Sequence, residues 1–162
     1  HKKLSRSTSA PVPDGYYTVP LGQAQRVRQG SDLTIVTYGI GVRWAQDAAE
    51  QFADEGADIE IIDLRSLLPW DQTTVFESVR RTGRALVVHE DTMTGGFGGE
   101  LAASIGVACF EWLDAPVSGG PAGAEGGSGS EPTLIALIVL SLIPGAYFVK
   151  KAMAAQPARI DD

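Results

Sequence analysis

Three short β-branched runs alternate with amphipathic stretches, and no other feature of this sequence limits the fold so tightly. The runs are Leu33-Thr-Ile-Val-Thr-Tyr38, Asp58-Ile-Glu-Ile-Ile-Asp63 and Ala85-Leu-Val-Val-His89. Strands this short and this apolar are buried on both faces, so the segments between them must supply helices to cover the sheet. From Val42 to Glu55, the residues Val42, Ala45, Ala48, Ala49, Phe52 and Ala53 recur at three- and four-residue steps. Arg43, Gln46, Asp47, Glu50 and Asp54 fall on the other face, and Gly56 ends the segment. Pro69-Trp-Asp71 offers Asp71 as the N-cap of a second helix over Gln72 to Arg81, with Val75, Phe76 and Val79 inward. Thr94-Gly-Gly-Phe-Gly-Gly99 opens a third helix with Leu101, Ile105, Ala108 and Trp112 on one stripe. Strand, helix, strand, helix, strand, helix implies parallel pairing through right-handed crossovers. The expected fold is α/β, a three-layer α/β/α sandwich with a mostly parallel sheet, followed by a Gly-rich linker and an apolar helical tail.

Composition divides the chain at Val117. Residues 1–117 read as one domain, with 1–30 as a lead-in, and residues 118–132 as a Gly/Ser-rich linker. Glycines make a poor strand, so a final sheet element is expected to be missing. Residues 133–149 carry no charge; as a helix they would span roughly 25 Å, against roughly 30 Å for a bilayer's hydrocarbon core. Two readings of this run stay open, a membrane-spanning segment and a docked or aggregation-prone apolar tail; Pro144-Gly145 interrupts it and Lys150-Lys151 follow. Residues 150–162 form a polar tail. His1 to Val12 lacks the apolar core of a signal peptide and the first residue is not Met, so the sequence is expected to begin inside a longer protein.

A formal net charge of -7 excludes nucleic-acid binding, which needs a clustered basic surface. Cys109 is the single cysteine, so there is no internal disulfide and no thiolate pair for zinc, which suits a reducing compartment. Tyr38-Gly-Ile-Gly41 sits between strand and helix, but Trp44 stands where a dinucleotide fingerprint needs its third glycine, so it reads as a tight turn. Thr94-Gly-Gly-Phe-Gly-Gly99 lacks the Gly-Lys-Ser/Thr of a phosphate loop. Close packing against another chain, with Phe97 filling the gap, is the expected role. His89-Glu90-Asp91 closes a strand, where open parallel sheets gather functional groups. Neighbours on an extended segment point in opposite directions, so a structural or interface role is expected over a general base or metal site. Arg65 can pair with Asp63, Asp71 or a group across an interface, or clamp a substrate carboxylate, and both readings stay open. No nucleophile elbow or triad spacing is present.

Several ordered motifs together resemble one known domain. They are Val12-Pro-Asp-Gly-Tyr-Tyr-Thr-Val-Pro-Leu-Gly22, Gly30-Ser-Asp-Leu-Thr-Ile-Val-Thr-Tyr-Gly39 and Ile61-Ile-Asp-Leu-Arg-Ser-Leu-Leu-Pro-Trp-Asp71. Glu77-Ser-Val-Arg-Arg-Thr-Gly-Arg84 and Val88-His-Glu-Asp-Thr-Met-Thr-Gly-Gly-Phe-Gly98 complete the set. They look like the transketolase C-terminal domain of 2-oxo acid dehydrogenase beta subunits. Leu67-Leu-Pro-Trp-Asp71 and His89-Glu-Asp-Thr-Met-Thr-Gly-Gly-Phe97 resemble the branched-chain (2-oxoisovalerate) type. Leu113-Asp-Ala-Pro-Val-Ser-Gly-Gly-Pro-Ala-Gly-Ala-Glu-Gly-Gly127 separately resembles a substrate-loop motif of 3-hydroxyisobutyrate dehydrogenases and runs from the end of the domain into the segment read as a linker.

The resemblance implies a part in branched-chain amino acid degradation: oxidative decarboxylation of 2-oxoisovalerate-like acids with thiamine diphosphate and Mg, then acyl transfer to a lipoyl group. It implies that the catalytic groups lie on a preceding domain, and the diphosphate and magnesium ligands on an alpha subunit. This chain alone is then expected to bind no cofactor and to be inactive. Its implied role is assembly with the alpha subunit, a second beta subunit and the lipoyl acyltransferase, through His89, Glu90, Gly95, Gly96, Phe97 and Gly98. The implied location is the cytoplasm, or the mitochondrial matrix in a eukaryote. The alternative is a membrane-anchored interaction module held through 133–149.

Overall fold

The structure, a computed structural model, describes Ser9, residues 11–92 and residues 94–121. The readings of 122–162 therefore lie outside the described residues. Five strands and three α-helices follow in chain order: β1 (Gln25–Arg28), β2 (Leu33–Thr37), α1 (Gly41–Ala53), β3 (Ile59–Asp63), α2 (Gln72–Thr82), β4 (Ala85–His89), α3 (Phe97–Ala108) and β5 (Ser118–Pro121). A 3-10 turn, Phe110–Trp112, follows α3. The sheet order is β1-β3-β2-β4-β5, with β1 antiparallel to β3 and every other pair parallel.

The pleat sorts the core into two halves. Leu33, Ile35, Ile59, Ile61, Leu86 and Val88 face α1, meeting Trp44, Ala45, Ala48, Ala49 and Phe52. Val36, Ile62, Ala85 and Val87 face α2 and α3, meeting Val75, Val79, Leu101 and Ile105. Helices thus lie on both faces of a mostly parallel sheet, as the alternating runs imply. At the start of α2, Asp71 accepts a hydrogen bond from the Thr74 N–H at 3.0 Å. At its end Gly83 adopts φ +68, the left-handed conformation that costs glycine nothing, and its N–H closes on the Val79 carbonyl at 2.8 Å.

Both outer strands depart from the sequence expectation. The lead-in contains β1, whose four residues and a register shift between Arg26 and Arg28 leave no regular alternation to read. The glycine-rich stretch supplies β5, which runs beside β4 from Leu86↔Ser118 to His89↔Pro121. The expected absence of a closing strand is therefore corrected. Pairing uses backbone groups alone, so a glycine edge strand needs only a well-formed neighbour, and β4 is one. This strand also takes up residues 118–121 of the segment that resembles a dehydrogenase substrate loop.

Two inward positions also change. In α1, Trp44 is buried while Ala53 is exposed, so the indole read as an obstacle to a nucleotide is a core residue. Helix α3 stops before Trp112; Cys109 takes the inward place, and Trp112 stacks its ring under the Arg80 guanidinium, 4.9 Å from the centroid. Among the described residues no helix is long and apolar enough to cross a membrane, so the membrane-spanning expectation gains no support there, and residues 133–149 lie outside them.

Candidate functional site

Chain direction diverges between β2 and β4. From β2 the chain crosses through α1 to β3 on one side; from β4 it crosses through α3 to β5 on the other. Such a switch leaves a crevice at the carboxyl ends of the strands, where open α/β sheets place their functional groups. Tyr38 and His89 meet there, stacked with centroids 6.3 Å apart and planes within 10°.

His89 is buried, and its Nδ1 accepts a hydrogen bond from the Asp91 N–H at 3.2 Å, so the backbone bends sharply after β4. The ring is also the floor of the glycine turn. A Cβ on Gly98 would collide with Nε2 and Cδ2 of His89; one on Gly96 would collide with the Thr92 carbonyl and come within 3.0 Å of His89 Cε1. These two glycines are thus required by packing inside this chain. Gly95, at φ +81, has open space around it, and Glu90 is exposed, so both face outward. Phe97 is half-buried against the α2/α3 half of the core. The six residues singled out in the sequence therefore do come together, as one turn wrapped around His89.

The electrostatics of this edge are acidic. Glu90 and Asp91 follow β4, and Glu100 stands in the first turn of α3. Burial, then the charges of Asp91 and Glu90, push the Tyr38 hydroxyl above its ordinary range. In the β2–α1 turn the N–H groups of Gly41, Val42 and Arg43 already bond to the carbonyls of Tyr38, Gly39 and Ile40. A Cβ at Gly41 would strike Thr37 Oγ1, itself buried and the one buried side-chain polar atom without a hydrogen-bond partner among the described residues. The tight-turn reading of Tyr38-Gly-Ile-Gly41 fits this geometry.

The loop after β3 ends at the same edge. Arg65, at φ 59, donates its backbone N–H to Asp63 Oδ1 at 3.1 Å. Burial raises the Asp63 carboxyl, with the Arg65 N–H and charge opposing. The lead-in is tied down here: the Gly22 N–H donates to Ser66 Oγ at 2.8 Å and the Ala24 N–H to Asp71 Oδ2 at 3.0 Å. Upstream of these ties Val12, Tyr16, Tyr17, Val19 and Leu21 are exposed, Tyr16 to 95%.

Sequence reasoning missed Glu60. It lies inside Ile-Glu-Ile-Ile, a run read as buried on both faces with no partner assigned to its one internal charge, and it is 1% exposed. Arg26 Nε pairs with it at 2.9 Å, and Arg81 and Ser78 also contact the carboxylate. Ser78 and Thr82 join Thr34 at 2.7 and 2.8 Å. The available signal was Arg81 at the end of α2, two charges that only tertiary packing brings together.

Comparisons with known proteins agree with this architecture. Residues 22–142 match the family described as transketolase, C-terminal domain. Over 117 residues the chain is 45% identical to mitochondrial 2-oxoisovalerate dehydrogenase subunit beta 2 of Arabidopsis thaliana, covering 72% of this chain and 33% of the relative. Over 113 residues it is 50% identical to 2-oxoisovalerate dehydrogenase subunit beta of Pseudomonas aeruginosa, covering 70% and 31%. Among solved structures it is similar to a split-gene transketolase in an inactive beta4 tetramer, with TM-score 0.60, 25% identity, and coverage of 83% of this chain and 46% of that one. The chain spans about a third of the length of these curated relatives. A switch-point sheet with its glycine turn folded over a buried histidine, matched along three quarters of its length, makes this chain a member of the transketolase C-terminal domain family, in the form carried by 2-oxo acid dehydrogenase beta subunits.

Proposed function

We propose that this chain is the assembly portion of the beta subunit of a branched-chain 2-oxo acid dehydrogenase. The complex would oxidatively decarboxylate 2-oxoisovalerate-like acids and pass the acyl group to lipoyl. Its partners would be an alpha subunit, a second beta subunit and the lipoyl acyltransferase, and its location the bacterial cytoplasm or the mitochondrial matrix. The names of the relatives support the substrate class.

The observation that carries the assembly role is the exposed apolar ribbon from Val12 to Leu21, anchored to the edge that holds the glycine turn. Large apolar side chains left in water along one edge are what a partner surface covers. Glu90, Gly95 and Phe97 would extend that surface from the turn, with His89, Gly96 and Gly98 setting its shape from beneath.

Thiamine diphosphate and magnesium would supply the decarboxylation chemistry in the whole complex. The donor set here does not suit the metal: among the described residues no three His, Cys, Asp or Glu side chains cluster as metal ligands. No reaction step is therefore assigned to this chain.

The test is association. Mixed with the alpha subunit and acyltransferase of a 2-oxoisovalerate dehydrogenase, the chain should sediment as part of a larger species, and Tyr16→Asp with Glu90→Arg should weaken that association at least roughly tenfold. Decarboxylation of 2-oxoisovalerate by the purified chain alone, or no association with either component, would refute the proposal.

A further inference from the structure

We infer that the outer face of α3 is the docking surface for the apolar segment of this same chain, residues 133–149. Helix α3 is apolar nearly all round, with Glu100 its single charged residue. Its inner face buries Leu101 and Ile105. On its outer face Ala103 is exposed, Val107 is 85% and the following Phe110 78% exposed, and Gly99 and Gly106 have open space where a side chain would stand. A helix with this composition normally has neighbours on both sides.

Beside it runs a groove of about 560 Å³ lined mostly by apolar residues, Ala102, Gly106, Phe110, Leu113 and Val117 among them, with Asp114 its one charged residue. Its far wall is the stretch that leads directly into β5. Glycines on the helix and the exposed Val107 and Phe110 give this face both a recess and apolar contacts.

Three observations identify the occupant. The chain leaves β5 at Pro121, in the strand next to α3, and the eleven residues 122–132 then lead to a run with no charged residue from Thr133 to Val149. Eleven residues reach up to about 40 Å when extended, whereas α3 is only about 18 Å long at 1.5 Å per residue, so the linker can return along the whole helix. The family match does not stop at β5 but continues to residue 142, ten residues into the run. Two apolar surfaces in one chain, tethered this closely, meet at high effective concentration.

Amide hydrogen exchange on the full 162-residue chain tests the inference. Residues 133–149 should exchange at least roughly tenfold more slowly than an unstructured peptide of that sequence, independent of protein concentration. Val107→Asp with Phe110→Asp, both at exposed positions, should abolish that protection while β2, β3 and β4 keep theirs. The reciprocal pair Leu137→Asp and Leu140→Asp should release the segment in the same way. Full-rate exchange of 133–149 in the unaltered chain overturns the inference, as does protection that survives both variant pairs. Protection that fades on dilution overturns it in favour of a second copy. Protection that appears only with phosphatidylcholine/phosphatidylglycerol vesicles overturns it in favour of a bilayer.

Discussion

Gly98 and His89 interlock: the imidazole occupies the space in which any side chain at position 98 would begin. His89 is held from the other side by the Asp91 N–H and stacked on Tyr38, so the ring has little room to retreat. Gly98→Ala should therefore cost about 1–3 kcal/mol, the usual range for overpacking a filled core. Gly99→Ala, one residue on in open space, should instead gain about 0.5–1 kcal/mol from helix propensity. Urea midpoints of the two variants should move in opposite directions.

The Glu60 cluster is asymmetric, and the asymmetry predicts which partner matters. Its carboxylate is 1% exposed, whereas the Arg26 and Arg81 side chains are 37% and 47% exposed. Removing Glu60 frees two guanidiniums that already reach water, so Glu60→Ala should cost about 1–3 kcal/mol. Removing both arginines strands a buried charge, and the Arg26→Ala, Arg81→Ala double variant should lose about 3–5 kcal/mol. Equal losses in chemical denaturation would show that the carboxylate gains solvent when its partners go.

Asp71 and Asp63 should give stability opposite dependences on pH. Burial disfavours ionisation of Asp71, but hydrogen bonds from the Thr74 N–H, the Ala24 N–H and the Thr74 hydroxyl outweigh it and hold the carboxyl below its ordinary range. A depressed folded value stabilises the protein above the unfolded value near 3.9, and the gain is lost as pH falls through the folded value. Asp63 is raised, chiefly by burial, so its penalty is absent below about 3.9 and grows as pH climbs through the folded value. Asp71→Asn should thus destabilise at neutral pH and Asp63→Asn should stabilise. Both differences should shrink when unfolding is repeated near pH 3.

Thr37 offers a gain. Its buried hydroxyl has no hydrogen-bond partner among the described residues, and valine has nearly its shape without the polar atom. Thr37→Val should add about 1 kcal/mol. A loss in thermal unfolding would mean that a bound water satisfies the hydroxyl.

What the sequence disclosed and what it withheld divide along physical lines. The β-branched runs and the Ala-rich amphipathic stretch announce β2, β3, β4 and α1, because burial on both faces of a sheet leaves a continuous apolar trace. Asp71 announces the start of α2 through its capping chemistry alone. The outer strands leave no such trace: β1 is bulged and carries two arginines in four residues, and β5 is held by backbone pairing that leaves no side-chain pattern to read. At the candidate site the two motifs stand out because one closes a strand and the other opens a helix, while naming the six residues together as an interface rests on the family resemblance. The reason for Gly96 and Gly98 was not, since it depends on where the His89 ring turns. Glu60 was illegible because its partners lie far off in sequence, on β1 and α2.

The antiparallel direction of β1 has a consequence for how this domain is wired. Gln25 stands opposite Asp63, so the backbone reaches the sheet at the carboxyl rim, and β5, parallel to β4, departs at that same rim beside His89. The described chain therefore goes in and out like a two-pin plug, with every covalent lead on the side of the glycine turn. Among the described residues the opposite rim, with the Arg28–Leu33 and Asp54–Ile59 connections, carries no lead. A fluorophore or affinity tag placed there should leave docking at the wired rim undisturbed.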